Sequence, residues 1–273
     1  DVVRAVHRYE VTVLAGVPPL WLQLAEADWG GKAGESLRTL TNSGGHLPEP
    51  LVRRLRALFP AARLHLMYGL TEAFRSSGLD PALVDRHPDS VGRAIPFAEL
   101  MVVRPDGTPA EPGEEGELVH AGPLVAQGYW NDAERTAERF RPAPAHSRHG
   151  GVAVWSGDRM VQGTDGLLRY RGRDDAMIKV SGNRISPTEI EEAALASGAV
   201  TDCAAFGVPD ERLGQAIVLV AVAGAENADE ALRHYFAAEL PPHMRPSRVI
   251  WREALPIGPN GKLDRAKLKQ EIA

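Results

Sequence analysis

The sequence predicts α/β layers, then a small antiparallel β-barrel-like region, then a compact α+β unit. Three observations carry this. Short apolar strands alternate with helical segments up to about residue 96. From about residue 97, short strands are separated by turn dipeptides. After Arg173 a marked helix start opens a mixed segment of about 100 residues, an ordinary size for a small domain.

The elements follow in chain order. A polar helix-like stretch opens the chain and runs into Val11–Ala15, a short buried strand. Pro18 and Pro19 stand where a helix begins, ahead of Leu20, Trp21, Leu22 and Leu24. Leu37–Thr41 is a second strand and ends in Asn42-Ser43-Gly44-Gly45. Pro48 opens a helix with Leu51, Val52, Leu55 and Leu58 on one face, and Pro60 stops it. Leu64 and Leu66 alternate with Arg63 and His65 in a third strand that runs into Tyr68-Gly69. Leu100–Val103 and Glu117–His120 are strands, with Pro105-Asp106-Gly107 and Pro112-Gly113 as turns between them. Pro142 to Gly151 is rich in Pro, His and Gly, the composition of a mobile loop. Ser186-Pro187-Thr188-Glu189 places Ser at an N-cap, Pro at the first helical position and Glu three residues after the cap. Val200–Gly207, Ala216–Val222 and Val249–Trp251 are strands, and Ala228–Leu240 and Arg265–Ile272 are helices.

Bulk composition narrows the function classes. The chain has 273 residues, 44% of them hydrophobic and 25% charged, enough apolar side chain for a sizeable core. A net charge of −5 without a dominant basic run argues against nucleic acid as a partner. The single cysteine, Cys203, excludes an internal disulfide framework and fits a reducing, cytoplasmic setting. No apolar run approaches the roughly 20 residues a membrane helix needs, and no signal peptide is expected. The chain opens on Asp1 and runs quickly into an apolar strand, as the middle of a longer protein does; a trimmed chain would read the same way.

Four polar clusters carry candidate chemistry. Tyr68-Gly69-Leu70-Thr71-Glu72 places a hydroxyl and a carboxylate beyond a strand end. Thr71 suits a phosphate oxygen and Glu72 a magnesium ion, or the pair is a helix start with Thr71 as cap. In Trp155-Ser156-Gly157-Asp158 the Asp either accepts from a ribose diol or serves a plain turn. Gly172-Arg173-Asp174-Asp175, with the strand and glycine turn that follow through Arg184, is either a hinge or a solvated hairpin edge. Asn260-Gly261-Lys262-Leu263-Asp264-Arg265 either swings a compact positive charge into a site or is a turn before a terminal helix.

Together these clusters resemble the adenylate-forming superfamily of acyl-CoA synthetases, firefly-type luciferases and peptide-synthetase adenylation domains. That family's pattern is Tyr-Gly-x-Thr-Glu, aromatic-x-Gly-Asp, Gly-Arg-x-Asp and Gly-Lys-x-Asp-Arg, and all four occur here in that order. Ser43-Gly44-Gly45, Gly128-Tyr129-Trp130, Thr136-Ala137 with Phe140, and Leu240-Pro241 with Met244 and Pro246 are similar to it as well. The runs YGLTEAFRS from Tyr68, Pro88 to Gly92, Leu124 to Trp130 and Ala153 to Asp158 resemble the exosortase A system-associated acyl-CoA ligases.

The resemblance implies that residues 1–174 are the end of a large adenylate-forming domain and 175–273 a mobile α+β lid. Within the former, residues 1–96 would be the α/β part and 97–174 the β-barrel-like part. It implies an AMP-forming ligase that joins a carboxylic acid to ATP and passes the acyl group to coenzyme A or a carrier-protein pantetheine arm. Gly44, Gly45, Tyr68, Thr71, Asp158 and Arg173 would line the nucleotide site, and Glu72 would bind Mg2+. Lys262 would act with Thr71 and Glu72 during adenylation, Asp175 would be the hinge, and Gly182 would border the thiol tunnel. Arg184 is a weaker candidate for a phosphate or interdomain contact. Asn183 departs from the aromatic residue common there. The family's Ser/Thr/Gly-rich phosphate loop, which ends in Lys far upstream of the Tyr-Gly-x-Thr-Glu strand, has no counterpart here. The chain therefore reads as the carboxyl-terminal half of a longer enzyme and as inactive alone. A carrier-loading adenylation domain and an inactive nucleotide-binding fragment are the alternatives. The chain ends eight residues after Arg265 with no carrier domain, which suits a free-standing ligase.

Overall fold

In the computed structural model, residues 1–30, 34–259 and 261–272 are described. The chain divides into two compact units: Asp1–Leu47 with Leu51–Arg171, and Pro48–Pro50 with Gly172–Ala273.

The first unit begins with three parallel strands and their helices. Helix α1 (Val2–Tyr9) ends at Glu10, whose φ of 48° turns the chain so that Val11 N–H reaches Val6 O at 3.1 Å. That left-handed cap takes Val11 out of the expected strand, and β1 is Val13–Gly16. Helix α2 (Pro18–Glu26) starts at its paired prolines, since a first turn needs no amide hydrogen there. Strand β2 (Thr39–Asn42), helix α3 (Glu49–Leu58) and strand β3 (Arg63–Leu70) follow, and β1, β2 and β3 pair in parallel. Trp21, Leu24, Leu51, Val52 and Leu55 from the helices bury their side chains with Leu40, Leu64 and Leu66 from the strands.

Beyond β3 the sheet turns antiparallel. Strands β4 (Phe74–Gly78), β5 (Ser90–Ala94), β6 (Glu99–Val103) and β7 (Glu115–Ala121) lead to helix α4 (Ala133–Arg139). Strands β8 (Phe140–Pro142), β9 (Val152–Gln162) and β10 (Leu168–Arg173) complete the set. The barrel-like strands are not separate from the α/β layer. One ten-stranded sheet runs β1-β2-β3-β4-β5-β10-β9-β7-β6, with β8 on β9. Both faces are buried: Met101, Val103 and Val119 pack on one side, Val102, Leu118 and Met160 on the other. The Pro- and His-rich loop after β8 is held at its centre. Buried Glu99 accepts from Ser147 Oγ at 2.7 Å and from the backbone N–H groups of Arg148 and His149.

The second unit is an α+β layer. Strands β11 (Ile178–Val180) and β12 (Asn183–Ile185) form a hairpin. They precede helix α5 (Pro187–Ala196), strands β13 (Val200–Asp210) and β14 (Gly214–Ala223), helix α6 (Ala228–Glu239), strand β15 (Arg248–Arg252) and helix α7 (Arg265–Ile272). Ser186 is the N-cap of α5, although its hydroxyl makes no capping hydrogen bond. Ile190, Ala194, Leu232 and Phe236 cover one face of the sheet, while Leu255, Leu268 and Ile272 pack with Phe206 and Val220 on strands β13 and β14.

Candidate active site

The Tyr-Gly-x-Thr-Glu segment forms a hairpin, not a helix start: Thr71, Glu72 and Ala73 are the turn between β3 and β4. Gly69 is required by that turn, because a Cβ there would lie 2.2 Å from Phe74 O. Asp158 is not in a turn either. It lies inside β9, where the register against β7 shifts between Glu117 and Val119. Gly157, at φ 71°, supplies the left-handed residue of this bulge, a device that re-aims the next side chain. Ser156 Oγ donates to Leu118 O at 2.7 Å and accepts from Asp158 N–H at 3.0 Å; Gly157 N–H donates to Glu117 Oε1 at 2.9 Å.

The bulge brings Asp158 to Tyr68. Tyr68 Oη donates to Asp158 Oδ2 at 2.5 Å, and Asp158 is buried. Burial and then the Asp158 charge push the Tyr68 hydroxyl well above its ordinary range, so it stays a donor. One strand end of the α/β layer and one bulge of the antiparallel region thus meet at a carboxylate.

Glu72 is held from a single loop. Tyr129 Oη donates to Glu72 Oε1, and Ala126 N–H donates to Glu72 O at 2.8 Å. Tyr129 is itself fixed: its N–H reaches Thr136 Oγ1 at 2.9 Å and its ring meets Phe140 edge-on at 5.5 Å. Burial and the Glu72 hydrogen bond push its hydroxyl up to about 12. Thr71 is exposed at the tip. Beneath the hairpin, fully buried Ser76 lies 2.7 Å from His120 Nδ1 through its Oγ, and His120 Nε2 is buried with no hydrogen-bond partner. Burial lowers the His120 imidazole to about 4, so the ring is neutral. Sequence reasoning does not mark Tyr129, Ser76 or His120 as site residues; Tyr129 and Ser76 fall inside runs that carry the family resemblance, and His120 falls in none.

The other candidates fall as follows. Gly44, at φ 79°, and Gly45 follow β2; Gly45 lines a cavity of about 20 Å³ with Asn42, His46, Leu66 and Ser90, room for about one water. Arg173, half-buried, ends β10 and belongs to the second unit, as do Asp175, Gly182, Arg184 and Lys262. Asp175 lies in the 3-10 turn Asp174–Ala176. Arg184 donates to Asp174 Oδ1 at 2.6 Å, across the mouth of the β11–β12 hairpin. Ser181 and Gly182, with φ of 49° and 85°, form its tight turn, and a Cβ on Gly182 would meet open space. Lys262 is exposed on a loop closed by Gly258 N–H to Lys262 O at 2.7 Å and Asp264 N–H to Pro256 O at 2.8 Å; Asn260, beside it, lies outside the described residues.

Comparison with known proteins follows these same segments. Residues 1–130 match the family model for the AMP-binding enzyme, and residues 189–262 match that for the AMP-binding enzyme C-terminal domain. The salicyl-AMP ligase / salicyl-S-ArCP synthetase of Mycobacterium tuberculosis is 35% identical, over 98% of this chain and 46% of its own length. Feruloyl-CoA synthase of an Amycolatopsis species is 33% identical, over 99% of this chain and 54% of its own. The structure of ATP-bound MatB from Rhodopseudomonas palustris matches with a TM-score of 0.85 at 26% identity, over 99% of this chain and 52% of that one. The chain spans about half the length of each. With both family models matched in order, and with relatives aligned along nearly all of it, the chain belongs to the AMP-binding enzyme family, the adenylate-forming superfamily.

Proposed function

We propose that this chain carries nucleotide-holding strands and the lid of an AMP-forming acid–thiol ligase. The observation that carries the reading is the Tyr68–Asp158 hydrogen bond, which joins two of the four motifs across 90 residues at a buried carboxylate. In the reaction, a carboxylate oxygen attacks the α-phosphate of ATP, pyrophosphate leaves, and an acyl-adenylate results. A thiol then attacks the acyl carbon and AMP leaves. Asp158, its second oxygen directed to the ribose hydroxyls, fixes the nucleotide, with Arg173 beside the sugar. Tyr68 borders the adenine, Gly44 and Gly45 line the pocket, and Thr71 donates to an α-phosphate oxygen.

Among the described residues no group of three or more His, Cys, Asp and Glu forms a metal cage. The carboxylate proposed for Mg2+ is Glu72, fixed through Oε1 by Tyr129 Oη; Mg2+ bound to a nucleotide takes one or two protein carboxylates and completes its shell with phosphates and water. When bound, the ion offsets phosphate charge as the second anion approaches. Lys262 offers the remaining positive charge to the acid and the α-phosphate. Rotation at Asp175 withdraws Lys262 and presents Gly182, where a thin pantetheine arm can pass close to bare backbone.

Coenzyme A is the acceptor proposed, on the strength of the feruloyl-CoA synthase relative. A carrier-protein arm is the second reading, favoured by the salicyl-S-ArCP synthetase relative. The runs from Tyr68, Pro88, Leu124 and Ala153 support the exosortase A system-associated ligases as the finer reading, and a cytoplasmic setting is proposed from the single cysteine. Among the described residues no helix is long and apolar enough to cross a membrane. The test is ATP–pyrophosphate exchange by the full-length gene product across aliphatic, aromatic and amino acids, followed by thioester formation with coenzyme A or a phosphopantetheinylated carrier. Acid-dependent exchange with Asp158→Ala raising the KM for ATP supports the reading. Exchange indifferent to Asp158 overturns it.

A further inference from the structure

The second unit holds a buried carboxylate that lies outside the four motifs and is paired with the last residue of one of them, Arg265. Glu191, on α5, is only 9% exposed. Its Oε1 accepts from Ala205 N–H on β13 at 2.7 Å. Both its oxygens accept from Arg265 Nη2, each at 2.7 Å. Arg265 is the first residue of α7 and lies three positions after Lys262. Its guanidinium also sits 5.8 Å over the Phe206 ring on β13. Between Pro256 and Asp264 the chain forms a narrow loop, bridged at Ile257 and Leu263 and closed by the two backbone bonds that flank Lys262. Leu268, one turn into α7, is buried against Phe206, Val218 and Val220. The chain after Lys262 thus enters a helix anchored through Leu268 on its apolar side and through the Glu191–Arg265 pair at its first residue.

We propose that Glu191 and Arg265 are positioning residues for Lys262. A carboxylate fixed by a strand amide holds the guanidinium, the guanidinium holds the start of α7, and α7 sets the direction from which Lys262 leaves its loop. A flexible lysine is a point charge whose value depends on placement, and a displacement of about 1 Å can cost about a hundredfold in rate. This rests on the adenylation role given to Lys262. The hairpin turn at Gly182 lies on other elements of the same unit, so a loss confined to the Lys262 loop affects one half-reaction only.

The experiment uses the full-length gene product with wild-type, Lys262→Ala, Glu191→Gln, Arg265→Lys and Arg265→Gln chains. Each is measured for pyrophosphate exchange, for thioester formation from supplied acyl-adenylate, and for Tm. Glu191→Gln and Arg265→Gln are expected to lower exchange about 10- to 100-fold while thioester formation falls less than about twofold. Arg265→Lys keeps the charge without the planar fork and is expected in between. Unchanged exchange in Glu191→Gln, with Lys262→Ala severely impaired, overturns the positioning role and leaves the Lys262 reading standing. Equal loss of both half-reactions with a lowered Tm also overturns it, because the pair then only holds the fold. Full exchange in Lys262→Ala overturns the Lys262 reading and the positioning role with it.

Discussion

Tyr68 Oη and Asp158 Oδ2 lie 2.5 Å apart, so a hydroxyl at the end of β3 orients a carboxylate in the bulge of β9. Tyr68→Phe removes the hydroxyl that donates to this buried carboxylate. The expected result is a KM for ATP raised about 5- to 30-fold, from about 1–2 kcal/mol lost at the carboxylate, with kcat changed much less. Asp158→Asn should be at least as severe. Steady-state exchange kinetics at varied ATP check both.

Glu72 depends on Tyr129 in the same way. Tyr129→Phe keeps the ring against Phe140 and deletes only the hydroxyl that meets Glu72. Exchange activity should fall about tenfold, with circular dichroism and Tm nearly unchanged. A drop in Tm of many degrees, with activity per folded molecule preserved, would assign Tyr129 to the fold alone.

His120 makes the first unit sensitive to acid. Its folded value is about 4, against an ordinary 6.5. Between those limits the unfolded chain takes up the proton and the folded chain does not. The contribution is present above pH 6.5 and is lost as pH falls toward 4. His120→Gln should flatten that slope by about 2 kcal/mol relative to wild type. Urea unfolding at pH 7, 5.5 and 4 measures the difference between the two proteins.

Gly182 has a backbone demand and, in the proposed function, a place on the thiol path, and a bulky substitution confuses the two. Its φ of 85° favours glycine, while the space beyond its Cα is open. Asparagine tolerates the left-handed backbone and still adds a side chain. Gly182→Asn is therefore expected to keep the β11–β12 hairpin and adenylation, and to slow thiol transfer about tenfold or more. Separate assays of exchange and of transfer from supplied acyl-adenylate check this. Equal rates for wild type and variant in transfer would remove Gly182 from the thiol path.

The layers were legible because their signals are local. Paired prolines open α2, alternating Leu64 and Leu66 mark β3, and α7 spans the predicted Arg265–Ile272. The site was legible only as isolated motifs. Asp158 reads as a turn residue because Gly157 precedes it, yet the glycine makes a bulge inside a strand, and only the register of β7 shows that. Tyr129 and Glu72 are 57 residues apart, and Glu191 and Arg265 are 74 apart. No periodicity links such pairs; they meet through the sheet order. His120 sits in an ordinary strand pattern, and nothing local distinguishes a ring sealed on both sides from one facing solvent.

The most direct test of the account is the identity of the nucleotide product. The full-length gene product is incubated with ATP, Mg2+, hydroxylamine and a panel of carboxylic acids, and hydroxamate and nucleotides are quantified together. The account predicts acid-dependent hydroxamate with one AMP and one pyrophosphate released per acyl group, reduced about 10²- to 10³-fold by Lys262→Ala. Acid-dependent release of ADP and phosphate in place of AMP, or AMP-forming turnover untouched by Lys262→Ala, would contradict it.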